Sequence, residues 1–181
     1  MNTPFFYGLI LALGNIVLTL VFFFLGYQTD RMLQGRWIVT LLPLVVAIVV
    51  MWLGIKATRE EAKDGALSYG KGVGAGMLII LYSSLIGAIY TFIHFTFFNP
   101  SFADYAVDLA RQQWIARGMS DSQMEVAEKF TRFIYKPAVL AVAGVIVSAL
   151  IGLVISLILS AFLKRKSAPA IAPESPPVVS S

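Results

Sequence analysis

The chain has 181 residues and no cysteine; 58% of it is hydrophobic, only 13% is charged, and its formal net charge is +4. A mean hydropathy of +0.80 is too high for one small water-soluble core to hide, so apolar surface must face lipid. The composition excludes a disordered chain, a disulfide-stapled module and a cysteine-based zinc or redox centre. The basic residues stand at the edges of apolar runs rather than on one soluble face, which suits lipid headgroups and membrane orientation and not nucleic acid.

A helix crosses a bilayer core with about 20 apolar residues, because each backbone N–H must bond within its own segment. Four stretches qualify, at 4–26, 37–55, 73–98 and 138–162, and none contains Asp, Glu, Lys or Arg. The first lacks the basic start and short apolar run of a secretory signal and reads as an uncleaved span. It carries a stripe of Gly8, Ala12, Asn15 and Thr19; Asn15 is an intramembrane polar candidate that needs a hydrogen-bonding partner. The second is bracketed by Trp37 and Trp52 and contains Pro43, which frees the carbonyl of Val39 and predicts a kink.

The third span opens on Gly70-Lys71-Gly72-Val73-Gly74-Ala75-Gly76. A phosphate loop needs Lys followed by Ser or Thr after the last glycine, and a dinucleotide fold needs a preceding strand, so Gly72 and Gly76 read as a close helix crossing. His94 lies about one turn from the outer end of this span among Phe92, Phe95 and Phe97. There a neutral imidazole is expected to meet interfacial water, and a lone histidine without neighbouring carboxylate or cysteine is a poor metal site. Asn99-Pro100 stops the helix.

The segment 99–137 is too long for a structureless loop and predicts a helical hairpin. Its first helix covers 102–117 and ends at Gly118. Its second is capped by Ser120 and Gln123 and puts Val126, Phe130, Phe133 and Ile134 on one face. That stripe has three readings: it lies on the outer interface, extends the fourth span, or grips a partner. The fourth span has small residues at every fourth position, Gly144, Ser148, Gly152, Ser156 and Ser160, a ladder for close helix packing or a polar seam for conduction. Four of the eight prolines fall in 167–181, which reads as a disordered Pro-rich cytoplasmic tail.

Lys56, Arg59, Lys63 and Lys71 in the short second loop, with Lys164, Arg165 and Lys166 after the last span, outweigh the sparser Arg31, Arg36, Arg111, Arg117, Lys129, Arg132 and Lys136. Short loops close to helix ends dominate orientation, so both termini are expected in the cytoplasm. The fold expected is all-α: an integral membrane four-helix bundle over 1–166 with a helical extramembrane hairpin between the third and fourth spans.

The passage Gly54-Ile55-Lys56, Arg59 and Gly65-Ala66-Leu67-Ser68-Tyr69-Gly70-Lys71 leading into a glycine-containing span, with the exit through Phe98-Asn99-Pro100 and the helical insert, resembles small bacterial membrane proteins of domain-of-unknown-function family 4199. The resemblance covers most of 1–166 and implies a four-helix inner-membrane protein; it brings no reaction, ligand or catalytic residue. The first functional expectation is a non-enzymatic assembly, scaffold or accessory subunit, with the lipid bilayer and either a second copy or another membrane protein as partner. The alternative is a small uncoupled permease or oligomeric channel, since an ion-coupled carrier ordinarily uses a membrane carboxylate. No catalytic constellation, cofactor or metal is expected.

Overall fold

The structure is a computed structural model that describes residues 2–62 and 65–165; the Pro-rich tail at 167–181 lies outside the described residues. Among these there are six helices, and the only strand-like pairing is one isolated bridge.

Helix α1 (Thr3–Phe24) begins with Pro4 in its first turn, where the missing N–H and fixed φ cost nothing. It ends before Gly26, whose φ of +77° suits a residue without a side chain. Helix α2 (Met32–Glu60) is continuous through Pro43. It begins five residues before Trp37 and runs past Ile55, because a helix need not stop where its sequence turns polar. The 3.8 Å pair of Lys56 and Glu60 lies on this water-side extension.

Helix α3 (Tyr69–Ile93) begins four residues before Val73, at a Ser68 cap whose hydroxyl accepts from the Lys71 N–H. It continues into a π-helical turn at His94–Phe98, closed by the Asn99 N–H donating to the His94 carbonyl at 2.9 Å. Helix α6 (Pro137–Leu163) is the fourth long helix. All four are long and apolar enough to cross a membrane.

Helix α3 is the hub of the packing: its most extensive contact is with α6 and the next is with α1, while α2 lies against α1 and α3 and also reaches α6. Leu11, Met51, Ile55 and Ile79 are fully buried where these helices meet. Val17, Val49, Ile89 and Leu150 point outward from α1, α2, α3 and α6, each more than half exposed. Such a surface demands lipid; helix association within lipid then rests on dispersion and close fit.

Two contacts tie the ends on one side together. The Thr3 hydroxyl donates to the Glu61 carboxylate, and Leu67 exchanges two 3.0 Å backbone bonds with Arg165. The N-terminus, the α2–α3 loop and the end of α6 therefore share one side, called here the terminal side. The 25–31 segment and the hairpin share the opposite loop side.

The hairpin consists of α4 (Phe102–Ala116) and α5 (Asp121–Ile134), joined through Gly118 at φ +69°. Ser120 and Gln123 make both halves of a capping box. The guanidinium of Arg132 lies 2.5 Å from Asp104 and joins the two helices. Phe102 stacks on Phe95 of the π turn, with ring centres 4.4 Å apart. No residue of α5 is buried, and Val126, Phe130 and Phe133 are among its most exposed side chains.

Candidate functional site

Small residues on all four long helices close the terminal-side half. A β-carbon added to Gly8 would stand 2.8 Å from the β-carbon of Tyr82, and one added to Gly54 would stand 3.0 Å from that of Tyr7. On the α3–α6 seam, a β-carbon added to Gly72 would stand 3.0 Å from that of Ser160 and one added to Gly76 would stand 3.0 Å from that of Ser156, while Gly152 receives the side chain of Ile80. Each serine fills the notch left by a glycine. Gly72, Gly76, Gly152, Ser156 and Ser160 thus lie together along the α3–α6 seam.

Gly144 and Ser148 do not belong to that seam. Nothing lies within 4 Å of a β-carbon added at Gly144, and both residues line a cavity of about 290 Å³ enclosed by α1, α2, α3 and α6. The ladder divides because α3 and α6 meet closely only as far as Ile80 and Gly152; beyond them Gly87 on α3 and Gly144 on α6 both line the cavity, with nothing within 4 Å of a β-carbon added to either. The α1 stripe divides at the same level. Gly8 is buried away from the cavity, whereas Ala12, itself buried, lines it together with Asn15 and Thr19.

The cavity's polar lining consists of hydroxyls and one amide. Ser83 on α3 is buried, and among the described residues Ser83, Thr91 and Ser148 have no side-chain hydrogen-bond partner. A serine or threonine hydroxyl can turn toward a carbonyl of its own helix. The Asn15 amide has no comparable outlet. Its Oδ1 is shielded from solvent and accepts no hydrogen bond, a deficit of about 1–3 kcal/mol for a buried acceptor. The partner that the sequence demands for Asn15 is not supplied by the bundle.

The loop-side end of the cavity is closed by a hydrogen-bonded chain. Tyr90 and Thr19 line the cavity. The Tyr90 hydroxyl lies 3.2 Å from His94 Nδ1, His94 Nε2 lies 2.8 Å from Gln28 Oε1, and Gln28 Nε2 donates to the Thr19 carbonyl at 3.2 Å. A carbonyl accepts only, so the Gln28 amide nitrogen must face Thr19 and its oxygen must face His94. The imidazole therefore carries its proton on Nε2 and accepts from Tyr90 on Nδ1. Asn99 Nδ2 reaches the Gln28 carbonyl at 3.4 Å.

His94 is fully buried and does not meet interfacial water as expected. Phe98 stacks on its ring at 5.9 Å, with Phe23 and Phe95 edge-on. The π turn and the returning 25–31 segment enclose it. No motif in the sequence marks Gln28, Tyr90 or Ser83 as part of a site, and Asn99 is marked there only as a helix stop. The i, i+4 spacing of Tyr90 and His94 was a usable signal; Gln28 lies in a short connection whose path no pattern marks.

The chain belongs to the DUF4199 family. The match runs over residues 6–165, and the family is described as protein of unknown function. Comparison with curated proteins and with solved structures found no match. The DUF4199 region takes in α1 from Phe6 onward, the other three long helices, the seam, the cavity and the His94–Gln28 roof. Among the described residues, no group of three or more His, Cys, Asp or Glu side chains is placed to hold a metal ion.

Proposed function

We propose that this protein is a non-enzymatic assembly or accessory subunit of the bacterial inner membrane. In this reading it forms a four-helix bundle with both termini cytoplasmic and the α4–α5 hairpin outside. The observation that carries it is the interlocked terminal-side half, where glycine notches at Gly72, Gly76 and Gly152 are filled by Ser160, Ser156 and Ile80. A rigid, closed half suits a part that holds others in place and opposes a conduction path through one chain. The exposed stripe of Val126, Phe130 and Phe133 leaves an apolar face for an external contact.

A small uncoupled permease or an oligomeric channel is the second reading, favoured by the polar cavity. In a single chain that cavity ends at the seam. The test places a photo-crosslinking amino acid at Phe130 in cells expressing the full chain. A stoichiometric adduct with another membrane protein supports the accessory role; adducts only between copies of this chain favour the oligomeric channel, and adducts with lipid alone remove the hairpin as a partner surface.

A further inference from the structure

The cavity points to a ligand that the subunit reading does not call for. We infer that it is a lateral binding site for an uncharged, hydroxyl-bearing amphiphile, whose head sits beside Asn15 and whose tail remains in the bilayer.

Three observations carry this. The first is the unsatisfied amide: Asn15 Oδ1 has no donor, and Asn15 lies nine residues from Phe24, about 14 Å along the helix, too deep for headgroup water to be its ordinary partner. A half-turn of the terminal amide exchanges its two ends at the cavity wall, so a ligand hydroxyl can donate to the oxygen or accept from the nitrogen. The second is the lining. Ser83, Thr91 and Ser148 add neutral hydroxyls, and no Asp, Glu, Lys or Arg lines the space; a charged head would be desolvated there without a counter-charge.

The third is the place of entry. Thr40 on α2 and Gly144 on α6 both line the cavity and are both exposed, so the opening lies between α2 and α6 on the lipid-facing flank. The roof of Tyr90, His94, Gln28 and Thr19 shuts the loop side and the seam shuts the terminal side. A molecule arriving through lipid must itself be amphiphilic. About 290 Å³ is near the lower end of small-molecule sites, which run from about 300 Å³ upward, and accommodates a polyol-sized head and not a whole lipid.

The test is native mass spectrometry of the full chain in detergent, titrated with 1-oleoylglycerol. Methyl oleate has the same chain without a hydroxyl, and free glycerol is the head without the chain. Saturable binding of one 1-oleoylglycerol is expected, with methyl oleate and glycerol each weaker by about ten-fold or more. Gly144→Leu, at a position with open space around it, should block the mouth and weaken binding by a similar factor while leaving the melting temperature unchanged. Asn15→Leu should do the same, and if it fails to fold, Gly144→Leu carries the test. No saturable binding to the parent, equal binding of methyl oleate, equal binding of glycerol, or full binding to Gly144→Leu would each overturn the proposal. None of these outcomes depends on whether the hairpin meets a partner.

Discussion

His94 on the third long helix and Gln28 in the connection between the first two are hydrogen bonded at 2.8 Å, and both are buried. Together with the Gln28 amide bond to the Thr19 carbonyl, which orients the amide, this bond fixes the tautomer of the imidazole and holds the 25–31 segment over the cavity. Replacing Gln28 by Leu leaves the His94 N–H and the Thr19 carbonyl without their partner. We expect a loss of about 1–3 kcal/mol, read as a lowered melting temperature in nanodiscs. Nitrogen NMR of the parent should show the proton on Nε2; a proton on Nδ1 would contradict the roof geometry.

The hairpin is predicted to unfold more easily when its cap is removed. Ser120 accepts from the Gln123 N–H while the Gln123 side chain accepts from the Ser120 N–H. Ser120→Ala should cost about 1 kcal/mol and speed amide exchange over 121–134 by about five-fold. Unchanged exchange would mean that α5 is held by something other than its own cap.

The exposed face of α5 should also respond to acid. The hydrogen bond and charge of Lys129, one turn away, hold the Glu125 carboxyl below its ordinary value. A depressed carboxyl adds stability above its unfolded pKa, and that stability is lost as pH falls through the folded value. Helix content of the hairpin should therefore fall on acidification below the ordinary carboxylate range. The change should shrink in high salt, because both partners are exposed. Glu125→Gln should reduce it; a Glu125→Gln protein with the same acid response would assign the effect elsewhere.

Orientation is open to a direct check, since the chain has no native cysteine. Ser122→Cys, at an exposed position in the first turn of α5, should react with an impermeant maleimide in intact spheroplasts. Reaction only after lysis would place the hairpin inside and the termini outside.

The long helices were legible because length and the absence of charge are enough to define a span. Their ends were less so: α2 and α3 continue through polar residues such as Arg59 and Lys71, where nothing breaks the backbone pattern. The capping box at Ser120 was readable because all its atoms are local. The fate of the five-residue ladder was not. Whether Gly144 touches anything depends on what stands opposite it on another helix, and the sequence of α6 alone does not contain that. His94 shows the same limit, for its surroundings are set by a π turn and by a loop 66 residues away.

The division of α6 into a packed half and a cavity half is the centre of this account, and paired substitutions at its two glycines test it most directly. The melting temperatures of Gly152→Leu and Gly144→Leu should be compared in the same nanodiscs. Gly152→Leu must displace Ile80 and should be destabilised by about 1–3 kcal/mol, whereas Gly144→Leu, with nothing within 4 Å of the added β-carbon, should melt with the parent. Equal destabilisation of both would mean that the ladder packs along its whole length and that the cavity does not exist as described.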